Sequence, residues 1–164
     1  MYTLQRLQLV DRPLDQVFDF FQKPENLAAI TPPSLDFQLL SPSPVPMEQG
    51  RVIDYTIRVM GVKLRWRSLI SDHQPPLRFV DQQLKGPYSF WHHEHRFEDL
   101  GDRTRLIDEV HYTLPLYLPF SSLIHRFYVR PRLEDIFDYR AQVFARLFGG
   151  VIENGETAGE LLCE

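Results

Sequence analysis

The stretch "FWHHEHRFED" at residues 90–99 decides the fold prediction. Successive side chains of a β-strand point to opposite faces, so one face of this stretch carries two histidines between two aromatic rings. The other face carries three charged side chains, whose joint burial would be too unfavourable. The stretch is therefore predicted to be a strand whose inward face is formed by Trp91, His93, His95 and Phe97.

Segments with the same alternation lie on both sides of this strand, separated by glycine and proline turns. Successive strands joined by tight turns form an antiparallel meander. We predict its strands at 50–60, 62–73, 77–84, 88–99 and 103–113. From 121 to 148 the apolar residues recur at helical spacing, which predicts one long amphipathic helix that is irregular near Pro131.

The residues before the meander predict a strand at 2–10, short helices at 12–22 and 24–30, and a short edge strand near 35–40. The 164 residues suit one domain, which we place at 1–150. Gly149 and Gly150 are expected to end the long helix. We expect residues 151–164 to form an acidic, mobile tail.

Charge and cysteine content exclude several classes of protein. The net charge of −4 comes from four glutamates in the tail, and the remaining 18 acidic and 18 basic residues leave the body neutral. A neutral body argues against nucleic-acid binding, which needs a basic face. The single cysteine, Cys163, forms no internal disulfide, and from the sequence we expect neither a signal peptide nor a membrane span. We expect a cytoplasmic protein with at most transient membrane contact.

If the meander curls around the helix, one alternate set of each strand points inward. In the strands at 77–84 and 103–113, the opposite face also carries an apolar residue, Val80 and Ile107, so the other alternate set is an alternative inward set there. The predicted inward sets are Ile53, Tyr55, Ile57 and Val59; Leu64, Trp66, Ser68 and Ile70; Phe79, Asp81 and Gln83; and Leu106, Asp108, Val110 and Tyr112.

Several polar side chains on this inward face lie on neighbouring strands, and buried polar groups need partners. An apolar wall with a few convergent polar groups is typical of a small-molecule site. The polar patch would consist of Asp81, Gln83, His93, His95, Asp108 and Tyr112, and we predict that Ser68 joins it in the ligand-binding wall.

Three stretches carry a family resemblance: "PPLRFVDQQLKGPYSFWHHEH" (75–95), "DEVHYTLP" (108–115) and "RLEDIFDYRAQVF" (132–144). With the order of elements, they resemble the START-like and Bet v 1-like (SRPBCC) superfamily, near its polyketide cyclase/dehydrase and coenzyme-Q-binding proteins. The resemblance implies an α+β helix-grip fold, in which a curved antiparallel sheet wraps around a long C-terminal helix. It also implies a cavity wall that includes Tyr55, Trp66, Phe79, Trp91, His93, His95, Phe97, Tyr112, Phe137 and Phe144.

The resemblance implies binding of a hydrophobic small molecule, such as a lipid, quinone, isoprenoid or polyketide-like compound, by a carrier or sensor. One alternative is a cofactor-independent cyclase or dehydratase that uses His93, His95 and Asp108. Another is a protein-interaction module whose cavity is filled by side chains and whose partner is unknown; a cavity below about 300 Å³ would favour it.

The histidines also raise the possibility of a metal site, in which Asp81 or Asp108 would supply a carboxylate. No further histidine is evident on this face, and we expect neither a metal nor a cofactor. The apolar segment "LPLYLPF" at 114–120 either packs beneath the long helix or forms a gate or membrane contact.

Overall fold

The computed structural model describes residues 1–115 and 120–153, which form one curved antiparallel sheet against a long helix. This confirms the α+β helix-grip prediction. The sheet order is β2-β3-β4-β5-β6-β7-β1-β8. The strands are β1 (Tyr2–Val10), β2 (Gln38–Leu39), β3 (Val52–Val59), β4 (Val62–Gln74), β5 (Arg78–Lys85), β6 (Phe90–Asp99), β7 (Thr104–Thr113) and β8 (Gly150–Glu153).

Two helical regions accompany the sheet. Helix α1 (Leu14–Phe21) follows β1, and two 3₁₀ turns, Pro24–Ala28 and Pro33–Leu35, lead to the edge strand β2. The C-terminal helical region consists of α2 (Ser121–Ile124), a π-helical turn (His125–Val129) and α3 (Arg130–Phe148). None of the helices in the described ranges is long and apolar enough to cross a membrane.

The predicted irregularity of the long helix is the π-helical turn, which ends just before Pro131. Proline has no N–H for the carbonyl four residues earlier, and its ring crowds that carbonyl. The preceding turn takes the wider π spacing instead, in which the N–H of Arg130 donates to the carbonyl of His125. The helix therefore continues past the proline.

Strand β8 corrects the prediction of a mobile tail from residue 151. Gly149 and Gly150 have φ values of +77° and +112°, which turn the chain back along β1. Residues 150–153 then pair antiparallel with Leu7–Val10. The predicted acidic tail from residue 154 onward lies outside the described residues.

The core has two main clusters on the helix side of the sheet. At one end, α1 buries its apolar face against β6 and the last turns of α3. At the other, the first turns of α3 lie over the middle strands. The first cluster contains Val10, Leu14, Val17, Phe18, Phe21, Ile30, Phe79, Phe97, Leu106, Val143 and Phe144. The second contains Leu4, Trp66, Trp91, Val110, Tyr112, Leu133 and Phe137.

Candidate functional site

A cavity of about 1110 Å³ lies between the sheet and α3. Exposed residues of its lining include Lys23 after α1, Ser34 in a 3₁₀ turn, Met60 at the tip of the β3–β4 hairpin and Arg132 at the start of α3, so the cavity opens between these elements. The alternative with a filled interior is wrong, because the cavity is far above the roughly 300 Å³ at which ligand sites begin.

Nine of the predicted ligand-binding residues line this cavity. Alternation in β3 to β6 placed them correctly on the inward face, and Phe137 reaches the cavity from α3. They are Tyr55, Trp66, Ser68, Phe79, Asp81, Trp91, His93, His95 and Phe137.

Five predicted residues are not in the lining, and two of these belong to the core beside α1. Phe97 lies with its ring centroid 5.2 Å from that of Phe18 and 5.1 Å from that of Phe21. Phe144 is fully buried, 5.1 Å from the Phe21 ring. Helix α1 thus covers both side chains, which stabilise the fold rather than face the cavity.

Of the other three, two are held by local hydrogen bonds, and the third is separated from the cavity by other side chains. The Gln83 amide donates to the carbonyl of Tyr88 at 2.7 Å and so ties the β5–β6 turn. The Tyr112 hydroxyl lies 2.8 Å from Nε2 of His125 and links β7 to the π-helical turn. Asp108 is buried behind the two histidines of β6.

Four residues of β5, β6 and β7 form a polar cluster, in which Asp81 is partly exposed and the other three are buried: Asp81, His93, His95 and Asp108. The register explains the cluster, since Asp81 is opposite His93 and His95 is opposite Asp108. His93 donates from Nε2 to Asp108 Oδ1 at 2.9 Å, and His95 donates from Nε2 to Asp81 Oδ2 at 3.3 Å. Both histidines are about 95% buried.

Two further contacts close the cluster without hydrogen-bond geometry. His93 Nδ1 lies 3.4 Å from Asp81 Oδ2, and His95 Nδ1 lies 2.7 Å from Asp108 Oδ1. Each carboxylate oxygen therefore faces both imidazole rings, whose centroids are 3.8 Å apart. One ligating atom each of Asp81, His93 and His95 lies within 4.8 Å of the other two, so these three could hold a metal ion.

The surroundings shift the pKa values of the two close rings in opposite directions. Burial and the charge of His95 lower the pKa of His93 to about 4. Burial also opposes charge on His95, but the carboxylates of Asp108 and Asp81 outweigh it and raise its pKa. Burial alone would raise the pKa of both aspartates, and the histidine contacts instead hold both below the ordinary value. Of the two rings, His95 is therefore the one that holds a proton more readily.

Arg140 was missed by the sequence prediction. It extends from α3 into the lining, and its Nη1 lies 3.8 Å from Asp108 Oδ1. Its guanidinium carbon lies 4.9 Å from the centre of the Phe137 ring. Nε and Nη1 are buried without a hydrogen-bond acceptor among the described residues. The signal was available, because Arg140 interrupts the inward apolar stripe of Leu133, Phe137 and Phe144 at helical spacing.

Arg140, Asp81, His93 and His95 form the polar wall of the cavity. The aromatic part of the lining includes Trp66 and Tyr55, which stack with ring centroids 5.9 Å apart. Trp66 Nε1 donates to the Ser68 hydroxyl at 3.2 Å. The cavity therefore combines apolar aromatic surface with one wall of concentrated charge and hydrogen-bonding groups.

The predicted gate or membrane contact at 114–120 is only partly visible. Leu114 lines the cavity, whereas Phe120 is 77% exposed. Residues 116–119 lie outside the described residues.

Comparison with known proteins finds one family model, described as "Polyketide cyclase / dehydrase and lipid transport", that matches residues 10–145. No curated protein matches the chain. Similar solved structures include a protein from Thermus thermophilus, with 16% identity, a TM-score of 0.69, and coverage of 88% of this chain and 95% of that one.

Two other similar structures are a START superfamily protein and an aromatase/cyclase. A START superfamily protein from Mycobacterium smegmatis has 11% identity and a TM-score of 0.67, covering 90% of this chain and 99% of its own. The Zhui aromatase/cyclase from Streptomyces sp. R1128 has 20% identity and a TM-score of 0.64, covering 92% and 99%. At these identities the likeness shows a shared fold.

Proposed function

Because the chain belongs to the polyketide cyclase/dehydrase and lipid transport family, we propose that it binds a hydrophobic small molecule in the cavity, as a carrier or sensor. A lipid, quinone, isoprenoid or polyketide-like compound would suit the lining. The observation that supports this most strongly is the cavity itself, whose volume of about 1110 Å³ slightly exceeds the usual range for small-molecule sites. Its aromatic walls would bury most of an apolar ligand.

The polar wall supports one orientation of the proposed ligand in the cavity. Arg140 brings a positive guanidinium, 11% exposed, to the cavity lining. A carbonyl, carboxylate or phenolate oxygen of the ligand would accept a charge-assisted hydrogen bond from it. The head group therefore points toward Arg140, and the apolar part extends toward Trp66 and Tyr55.

Binding needs only the cavity and its lining. Cyclisation or dehydration would also need a proton donor or acceptor that reaches the ligand, and His93 and His95 are cavity-lining groups that offer one. Asp108 would act only through these rings, since it lies behind them. Catalysis predicts that His93→Ala abolishes turnover of a candidate substrate while the variant still binds it.

Two fluorescent probes test the proposal. Anilinonaphthalene sulfonate is apolar with an anionic group, and Nile red is apolar and neutral. Both are expected to bind the wild type near one equivalent. Ser68→Phe, which places a ring in the cavity, should weaken both at least tenfold. Arg140→Met should weaken the sulfonate by about 10-fold or more, since a hydrogen bond to a charged group contributes about 1.5–3 kcal/mol.

The matched control is Ser89→Phe, which adds the same ring at an exposed position outside the cavity lining. It should bind both probes as the wild type does. Near-UV circular dichroism confirms that each variant retains its packing. Equal probe binding by Ser68→Phe and the wild type would place the probes outside the cavity and refute the proposal.

A further inference from the structure

The atoms of Asp81, His93 and His95 that face each other have the spacing of metal ligands. Asp81 Oδ2 lies 3.4 Å from His93 Nδ1 and 3.3 Å from His95 Nε2. Zinc bonds to nitrogen and oxygen are about 2.0–2.1 Å long, which places the ligand atoms of a tetrahedral site about 3.3–3.4 Å apart. Two of the three edges of the ligand triangle therefore already match.

The opposite sides of both rings face one carboxylate. Asp108 Oδ1 accepts the hydrogen bond of His93 Nε2 at 2.9 Å and lies 2.7 Å from His95 Nδ1. Histidine ligands of metals usually donate their second N–H to such an outer carboxylate, which fixes the tautomer. His93 already donates such a hydrogen bond to Asp108. A rotation of the His95 ring would allow its Nδ1–H to donate to Asp108 as well.

One contact in the metal-free cluster is unfavourable. When His93 donates from Nε2 to Asp108, its Nδ1 lone pair faces Asp81 Oδ2, which is also an acceptor, at 3.4 Å. Both residues line a mostly apolar cavity, where a contact between two acceptors is more unfavourable than in water. A cation bound between the three ligand atoms would attract both of these lone pairs and replace their repulsion with two coordination bonds.

We propose that Asp81, His93 and His95 form a three-ligand site for a divalent transition metal, with Zn²⁺ the best match, and that the fourth position opens to the cavity. Two neutral imidazoles and one carboxylate are suitable zinc ligands, and three protein ligands leave room for a fourth from solvent or a bound molecule. Each ligating nitrogen must present a lone pair, so a proton on His95 Nε2 leaves or moves to Nδ1 when the metal binds. The positive charge of Arg140 beside Asp108 favours an oxygen anion at the open position.

The first experiment titrates ZnCl₂ into chelator-treated wild-type protein in a calorimeter and measures zinc after dialysis by elemental analysis. One equivalent per chain is expected. Co²⁺ should give the strong visible absorption of a tetrahedral site. Absence of stoichiometric zinc in the folded wild type would overturn the proposal. This result is independent of the ligand proposal, because the two probes test the metal-free cavity.

Variants locate the metal. Asp81→Asn and His95→Gln should lose the stoichiometric site, and Asp108→Asn should weaken it by about 10–100-fold. The matched control is His92→Gln, on the same strand but the opposite face, which should bind zinc as the wild type does. Zinc retained by Asp81→Asn and lost by His92→Gln would overturn the assignment. Circular dichroism of each metal-free variant separates a lost ligand from a lost fold.

Discussion

Replacing Phe144 with alanine tests the division between core and cavity. The sequence resemblance placed Phe144 on the cavity wall, whereas the structure buries it completely among the rings of Phe20, Phe21 and Phe148. A buried aromatic side chain removes about 150–250 Å² from water, worth roughly 4–6 kcal/mol at about 25 cal/mol per Å². Because alanine retains part of this burial, the expected loss of unfolding free energy is about 3–5 kcal/mol.

Urea denaturation followed by circular dichroism measures this loss. If the slope is about 2 kcal/mol per molar urea, a loss of about 4 kcal/mol lowers the midpoint by about 2 M. Phe127→Ala is the control, because Phe127 is 71% exposed and a surface change is worth at most about 0.5 kcal/mol. The folded Phe144→Ala protein should bind Nile red with nearly unchanged affinity. An unchanged midpoint with weakened probe binding would refute the core assignment and restore Phe144 to the wall.

Three further predictions concern stability. Gly150→Ala should lower the unfolding free energy measured in urea by about 1–3 kcal/mol. The φ of +112° at this position is strained for alanine, and the added Cβ would lie 2.1 Å from a β1 carbonyl oxygen. An unchanged urea midpoint would contradict this. Asp54 accepts two 2.9 Å hydrogen bonds from Arg67, which with the Arg67 charge hold the pKa of Asp54 below its usual value, and Asp54→Asn removes the negative charge and one of the two acceptor oxygens. The folded pKa is the lower one, so the pair stabilises at neutral pH and its contribution, about 1 kcal/mol at most, fades as the pH falls through that pKa; an equal difference from the wild type at about pH 3 and about pH 7 would be evidence against it. Glu25→Gln weakens two 2.8 Å hydrogen bonds to the loop at 43–45, so limited proteolysis should cut this loop faster than in the wild type, and equal rates would argue against the anchor.

The sheet and its inward face were predictable because alternation is a strong signal in this chain. In β6, the charged residues exclude one face from the interior, and the burial pattern follows the prediction at Trp91, His93, His95 and Phe97. Once the strands are in sequence order, their pairing brings Asp81 and Asp108 to opposite sides of the histidines. The polar cluster was therefore implicit in the pattern of three neighbouring strands.

Alternation did not predict whether an inward side chain lines the cavity or packs against another element. The pattern says that Phe97 points inward, but whether it meets the cavity or helix α1 depends on where that helix crosses the sheet. Gln83 is inward by register, yet it lies near the end of β5, where the adjacent turn offers backbone partners to its amide. Both outcomes are set by tertiary packing, which a single strand does not encode.

Two other differences have local causes. Arg140 was not considered because a charged residue in a helix is usually exposed, and here the cavity provides space for it beside Asp108. Strand β8 was missed because two glycines suggested an end of structure. Their positive φ values instead reverse the chain, and a free strand edge of β1 is available to pair with it.

The most direct test of the ligand-binding proposal is native mass spectrometry of the protein purified from its own host, followed by organic extraction and identification of the released compound. The account predicts one apolar organic molecule per chain, carrying an oxygen-containing head group and absent from preparations of the Ser68→Phe variant. A protein found empty, with neither fluorescent probe bound in the cavity, would contradict the account.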